Sequence, residues 1–419
     1  MRILADLHVH SKYARGCSPQ MDIMHMSASA KRKGLQLVGT GDVTHPKYFE
    51  EIKKETKETE GKFLEHNGIF FVPTVEINNT FEQPAGKKRR VHTLVVLPDL
   101  QTAKRFSEMI APVSKLGTDG RPWVRMSLEK LAQEALALHP KILIIPAHIW
   151  TPWFGVFGAK GGFESLQEAY GSQAKNIHAI ETGLSSDPPM NWRCAWLDGV
   201  KILSFSDAHS PDNLAREASE FELEEADYGH LWRAIAEPDE KNYLVRTIEF
   251  FPQEGKYFAD GHRECGLCIS AQETRKLGGR CPKCGKKITR GVLGRIDLLA
   301  DRKEGEKPPA RRPGDAAPFV HLVPLRTLIG MALERGAKTQ GVEEVYEKLL
   351  EKFGSELKAL QAPAPEVENA LMPSHGLEKS RKIRQAIELM QTEKLQLKPG
   401  FDGQYGEVGL PGHGEAGRP

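Results

Sequence analysis

Histidines and carboxylates recur at the ends of apolar runs through the first half of the chain. They form the clusters Asp6-Leu-His8-Val-His10, Gly41-Asp42 with His45, Glu76, His92, His148 and Asp207-Ala-His209. Four of these clusters follow runs that read as buried strands. A strand end holds a side chain rigidly, and several strand ends converging on one rim can gather imidazoles and carboxylates around metal ions. The fold must therefore bring residues far apart in the chain to one place. So many ligand-type groups indicate a multinuclear hydrolytic site rather than one structural ion.

Residues 1–250 alternate between strand-like and helix-like stretches. Strands are expected at 3–5, 37–40, 69–77, 91–97, 142–145, 177–181 and 202–205. Helices are expected at 21–33, 46–60, 102–110 and 127–138. Pro46 suits a first helical position, where its missing N–H costs nothing. The continuous apolar run at 142–145 suits a strand covered on both faces. Repeated β–α alternation predicts a mostly parallel sheet, and this many units predict a closed β/α barrel. An open doubly wound sheet is the alternative, but the first βα turn lacks the glycine fingerprint of nucleotide binding. Side chains two apart in a strand share a face, so Asp6, His8 and His10 point together and two imidazoles can clamp one divalent ion.

The second half is organised differently. Four of the six cysteines fall in Cys265-x-x-Cys268 and Cys281-x-x-Cys284. Two tight pairs suit a tetrahedral zinc held by four thiolates, and a disulfide framework is not expected in so large a chain. The formal net charge is only +2, but residues 253–312 carry 15 Lys and Arg against 8 Asp and Glu. Arg280, Lys283, Lys286, Lys287 and Arg290 surround the second cysteine pair, which suits contact with a nucleic-acid backbone. Trp150, Trp153, Phe154, Phe157 and Phe163 interleave with Gly155, Gly158, Gly161 and Gly162 just after His148. Such a loop either covers a core or, beside metals, stacks on bases. The run from Gly86 to Arg90 either touches phosphate or is a solvated turn.

These features divide the chain into a barrel at 1–250, a four-cysteine zinc-binding module (a zinc ribbon) at 251–305, a helical region at 319–398 and a flexible Gly-rich tail at 399–419, with a Pro/Arg/Gly-rich linker at 306–318. Helices are expected at 327–336, 341–360 and 377–395. No apolar run approaches the ~20 residues that span a bilayer, and no secretory signal opens the chain, so a cytoplasmic protein is expected; a monomer is expected as well.

The motifs Asp6-Leu-His8-Val-His10-Ser11, Thr40-Gly-Asp42, Glu76, Pro146-Ala-His148 and Ser206-Asp207-Ala-His209 occur in the order found in the PHP (polymerase and histidinol phosphatase) family of metal-dependent phosphoesterases, which the chain resembles. The resemblance implies a distorted (β/α)7 barrel with a trinuclear site, taking Zn2+, Mn2+ or Mg2+. It implies that His8, His10, Glu76 and Asp207 hold one metal, and that Glu76 bridges to a second held by His92 and His148. His209 and Asp42 would hold the third. The family's Thr-Asp-His is Thr-Gly-Asp here, so Cys17 or His45 is expected to complete that site. Within PHP proteins, Gly39-Thr-Gly-Asp-Val-Thr-His-Pro46, Pro146-Ala-His-Ile-Trp-Thr-Pro-Trp153 and Ser206-Asp-Ala-His-Ser-Pro211 resemble the endonuclease Q family. That resemblance implies nicking of DNA 5′ of deaminated bases (hypoxanthine, uracil, xanthine) and of abasic sites, with the replication sliding clamp as a partner. It makes Asp207, His209 and Glu76 the catalytic candidates. Trp150, Trp153, Lys283, Lys286, Lys287 and Arg290 are the candidate contacts to double- or single-stranded DNA. Adjacent divalent ions about 3.5–4 Å apart would polarise the phosphoryl group and stabilise the leaving oxygen. The rival readings are a small-molecule phosphatase of the histidinol-phosphate type and a DNA-binding adaptor without activity.

Overall fold

The strands β1 (Arg2–Asp6) and β2 (Leu37–Gly39) lie side by side in parallel, joined through the helix α1 (Ile23–Lys33). This is the expected β–α–β unit, and it opens the computed structural model, which describes residues 1–83, 86–160 and 162–411. Asp22 caps α1 by accepting from the His25 N–H, and His45 does the same for α2 (Pro46–Glu55). Such caps satisfy donors that the first helical turn leaves open.

Beyond this unit the sheet departs from the expected mostly parallel pattern. β3 (Leu64–His66) pairs antiparallel with β4 (Ile69–Val72). The single strand expected at 69–77 is two, because Pro73 cannot donate to a ladder. The chain therefore leaves β4 and starts β5 (Thr74–Glu82) in a different sheet. β5 and β6 (Lys88–Val96) form a long antiparallel hairpin. A connection this short cannot make the crossover that parallel pairing needs. β7 (Trp123–Val124) and β8 (Leu143–Pro146) flank the hairpin, giving the order β7-β5-β6-β8. The helices α3 (Leu100–Ile110) and α4 (Leu128–Leu138) separate these strands. β9 (Ala179–Glu181) and β10 (Lys201–Leu203) make a parallel pair. β11 (Ala218–Glu222) then returns antiparallel against β1, and β12 (Tyr243–Glu249) against β11.

Mixed sheets thus replace a closed parallel barrel. They still enclose one interior. Ile3, Leu37, Val72, Leu94, Ile145, Ala179, Leu203 and Phe221, drawn from eight different strands, form a single buried cluster. The Tyr228–Ala236 helix adds Tyr228, Leu231 and Ile235 to it. The Tyr228 hydroxyl donates to the Val96 and Lys141 carbonyls. This helix closes one end of the enclosure, which leaves the opposite end for function.

The remaining chain wraps this body. β13 (Asp260–His262) and β14 (Leu267–Ile269) form the hairpin of the cysteine-bearing module. β15 (Phe319–His321) pairs with β12, so the second half contributes a strand to the first half's sheet. That larger sheet runs in the order β15-β12-β11-β1-β2-β4-β3. The linker is seated rather than loose: the buried Lys201 ammonium donates to the Pro313 carbonyl and pairs with Asp315. Helices Leu325–Leu333, Gln340–Phe353, Glu356–Gln361 and Ala364–Gln391 follow. Gly354, with φ 82°, ends the second of these. That conformation splits the helix expected at 341–360, since αL favours glycine. The expected flexible tail is instead, through residue 411, a β-hairpin of β16 (Gln396–Lys398) and β17 (Glu407–Gly409). Gly400 donates to the Gln253 carbonyl and accepts from Ala259, and the Phe401 side chain lies against Gly261. These interactions dock the hairpin on the cysteine module. Gly161 of the aromatic loop and residues 412–419 of the expected tail lie outside the described residues. No helix among the described residues is long and apolar enough to cross a membrane.

Candidate active site

At the open end, the buried Glu76 carboxylate on β5 is the hub. Its Oε1 lies 2.6 Å from His92 Nδ1, 3.1 Å from His148 Nε2 and 3.6 Å from His8 Nε2. Its Oε2 lies 3.5 Å from His10 Nε2. Asp207 Oδ1 stands 2.9 Å from His10 Nε2 and 3.8 Å from His8 Nε2. Three sets of donor atoms come within 4.8 Å of one another: His8, His10 and Glu76; Glu76, His92 and His148; His10, Asp207 and His209. Residues scattered from position 8 to 209 therefore converge.

Three of the imidazoles are held by their far nitrogen. Glu181 accepts from His8 Nδ1 at 2.8 Å, Asp42 Oδ1 lies 3.1 Å from His10 Nδ1, and the Thr151 hydroxyl lies 2.8 Å from His148 Nδ1. Each contact turns the ring so that Nε2 faces the cavity, the arrangement by which outer partners orient metal-binding histidines. The buried His8 Nε2 has no hydrogen-bond partner. An inward-facing, unpartnered imidazole nitrogen beside carboxylates is a donor set that fits a divalent cation.

Backbone strain accompanies the cluster. Asp42, His148 and Asp207 have φ of 45°, 31° and 48°. Side chains other than glycine rarely adopt the left-handed region, and such strain concentrates at functional sites. The turn at Asp207 is braced by Arg216, whose guanidinium donates to the Ser206 and Asp207 carbonyls. His10 N–H donates to the Ala208 carbonyl and ties the two ends together.

The electrostatics follow from packing carboxylates against imidazoles. Burial opposes charge on His10, but Asp42 and Asp207 outweigh it and raise its pKa to about 9. Burial likewise works against ionised Glu76, yet His92, His148 and His8 hold its pKa well below the usual range. Asp6, buried beneath the site, has its pKa raised by desolvation to about 6, although the Ser206 and Ala215 N–H groups favour its charge.

Several expectations need correction. Asp42 is not among the converging donors. Its Oδ2 accepts from the Ser11 N–H and hydroxyl and its Oδ1 faces His10 Nδ1, so it stands behind His10. His45 caps α2 and stacks on Tyr13 with centroids 4.2 Å apart, and Cys17 also lies outside the three groups. Asp6 serves backbone amides rather than the cavity. Trp150 is fully buried and donates to Asn191, so it is a core residue. Trp153 is 46 % exposed, with Tyr257 packed edge-on at 4.8 Å and Lys160 over its ring. Its neighbour Phe154 stacks on His92 at 4.4 Å, which places this aromatic edge beside the donors. Arg89 is a buried staple to the Gly162 carbonyl over Phe163, which decides the 86–90 run toward structure at that position.

In the cysteine module the four mutually close donors are His262, Cys265, Cys281 and Cys284. Cys268 is not one of them. Lys283 donates to the Cys265 carbonyl and Lys286 pairs with Glu264. Lys287 and Arg290, with Thr274, Arg275 and Arg280, line a basic depression. Sequence reasoning missed Glu181, His262 and Arg121. Glu181 had a signal, an acid ending the buried strand Ala-Ile-Glu. Arg121 had none, since it reaches the His209 neighbourhood only through the fold.

A curved α/β enclosure plugged at one end, with strand-end imidazoles and acids converging at the other, is the architecture of a metal-dependent phosphoesterase. The chain is 28% identical over 427 residues to the uncharacterized protein YqxK of Bacillus subtilis, spanning 97% of this chain and 99% of that one. Residues 324–370 match the family model of the MJ0043 C-terminal domain. Among solved structures, the lesion-specific endonuclease PfuEndoQ of Pyrococcus furiosus is 32% identical with a TM-score of 0.85, covering 98% of this chain and 96% of that one. An endonuclease Q bound to a 27-mer duplex with an abasic lesion at the active site is 33% identical, with a TM-score of 0.84 over 98% and 97% of the two chains. This chain belongs to the endonuclease Q family.

Proposed function

We propose that this chain is a metal-dependent, lesion-specific DNA endonuclease. The observation that carries the reading is the single buried Glu76 carboxylate facing four imidazoles at the open end of the fold. It occurs in a chain that aligns almost end to end with an endonuclease Q holding an abasic-site duplex.

In this reading His8, His10 and Glu76 would hold one divalent ion and Glu76, His92 and His148 a second, while Asp207 and His209, beside His10, would be the donors to a third. Zn2+, Mn2+ or Mg2+ would suit these donors, and the chemistry supplied there would be polarisation of the phosphoryl group, a lowered pKa for bound water and stabilisation of the leaving oxygen. The protein's own groups orient and exclude. Glu181, Asp42 and Thr151 fix the rings. Asp207 and His209, each about a third exposed, stand at the mouth where a proton can pass to solvent. Arg121 adds positive charge beside His209. Trp153 and Tyr257 offer faces on which a displaced base can stack, and the Lys287–Arg290 depression suits a backbone phosphate. Cleavage on the 5′ side of hypoxanthine, uracil, xanthine or an abasic site leaves a 3′-hydroxyl and a 5′-phosphate.

The test uses labelled duplexes carrying one such lesion, with an undamaged control, with and without chelator. Nicking confined to damaged duplex and abolished by chelator is expected. Asp207→Asn should lose nicking while keeping DNA affinity. Hydrolysis of a simple phosphate monoester with no duplex cleavage would overturn the assignment.

A further inference from the structure

The cysteine module carries two local patterns of the same form. One is Cys281-Pro-Lys-Cys284-Gly285, the other His262-Arg-Glu-Cys265-Gly266. In each, a donor residue is followed three positions later by a cysteine and then by a glycine in the left-handed region, with φ 73° at Gly285 and 58° at Gly266. In each, that glycine N–H turns back, to the Cys281 carbonyl at 2.8 Å and to the Arg263 carbonyl at 3.0 Å. The Lys283 ammonium donates to the Cys265 carbonyl and ties the two turns together.

The register of the β13–β14 hairpin explains why Cys268 stands outside. His262 pairs with Leu267 and Gly261 with Cys268. Facing residues of an antiparallel pair share a side of the sheet, and successive residues alternate. Cys268 therefore points to the face opposite His262, and it is exposed. His262 is buried, its Nε2 lies 3.8 Å from Cys284 Sγ, and its Nδ1 has no partner. Ligands at about 2.3 Å (S) and 2.1 Å (N) from a tetrahedral zinc are roughly 3.6 Å apart, so the spacing suits two donors on one ion.

We propose that this module binds its zinc through His262, Cys265, Cys281 and Cys284, and that Cys268 is a free surface thiol. The apparent Cys-x-x-Cys at 265–268 is then a coincidence of spacing laid over a His-x-x-Cys turn. Exchanging one thiolate for a neutral imidazole also leaves the loaded site one charge less negative, which suits a module rich in Lys and Arg.

The full-length zinc-loaded protein decides between the two ligand sets. Iodoacetamide followed by peptide mapping should modify Cys268 with zinc retained, while Cys265, Cys281 and Cys284 react only after a chelator removes the metal. Protection of Cys268 together with the other three overturns the proposal. Cobalt substitution gives a second readout that needs no activity. The barrel donor groups contain no sulfur, so thiolate-to-cobalt absorption reports this module. Cys268→Ser should leave that absorption and the metal content unchanged. His262→Ala should weaken metal retention, since a tetrahedral site then lacks its fourth protein ligand, and His262→Cys should restore it. Loss of thiolate absorption in Cys268→Ser, or full retention in His262→Ala, would assign the zinc to the four cysteines instead.

Discussion

Replacing Glu181 with Gln changes no atom that faces the cavity directly, which makes it an informative perturbation. The Glu181 carboxylate lies 2.8 and 3.0 Å from His8 Nδ1 and accepts the His148 N–H at 2.7 Å. Both donors use acceptor oxygens of one buried group. Gln supplies one oxygen and turns an NH2 toward the other donor, so one hydrogen bond to a charged acceptor is lost. Such bonds contribute about 1.5–3 kcal/mol, which corresponds to roughly 10–150-fold in an equilibrium constant. That range agrees with the roughly 10–100-fold typical when a partner behind a metal-binding histidine is removed. The assay is nicking of an abasic-site duplex across a series of buffered free Mn2+ or Zn2+ concentrations. Glu181→Gln should shift half-maximal activity to roughly 10–100-fold higher metal while activity at saturating metal recovers most of its value. An unchanged metal dependence would refute the claim that Glu181 sets the His8 ring. So would a loss that saturating metal cannot restore.

Proton competition gives a sign to the pH dependence. With its pKa raised to about 9, His10 is protonated at neutral pH in the metal-free protein. Metal binding must displace that proton, so affinity should fall by about tenfold per pH unit for each proton displaced as pH drops below about 9; metal titration in weakly buffered solution should release acid. Trp150→Ala should destabilise the fold by about 3–5 kcal/mol in chemical denaturation, the range for a fully buried aromatic. Trp153→Ala should change stability by less than about 0.5 kcal/mol but weaken DNA binding by about 1–3 kcal/mol if it stacks on a base. A methyl at Gly120 would sit 2.3 Å from Asp42 Oδ2, and Asp42 is already committed to Ser11 and His10. Gly120→Ala should therefore lower stability by about 1–3 kcal/mol and reduce metal affinity, both measurable by melting with and without metal.

The convergence of imidazoles and carboxylates was legible because such side chains at strand ends leave a mark in the sequence. His8, His10, Glu76, His92, His148, Asp207 and His209 all meet. Their outer partners were harder to read: Asp42 carries a ligand's chemistry but spends both oxygens on Ser11 and His10. Nothing local distinguishes those uses. The alternation of strands and helices pointed to the enclosure, but not to the antiparallel returns of β6, β11 and β12. For β6 a short connection decides the direction, while β11 and β12 are set by pairing with β1 and with each other across long separations, and propensity is blind to both. Trp150 and Trp153 are three residues apart in one motif, yet one is core and one is surface; only the fold of the intervening turn separates them. The cysteine pair at 265–268 misled for a similar reason, since spacing does not report which face a strand presents.

The hairpin of β16 and β17 has a consequence for how the molecule is made. Arg263 N–H donates to the Asp402 carboxylate, 139 positions further along, and the Ala259 N–H donates to the Gly400 carbonyl. A segment translated midway through the polypeptide thus waits for a clasp that the ribosome delivers much later. Until then the turn beside Cys265 lacks the carboxylate that fastens its first amide.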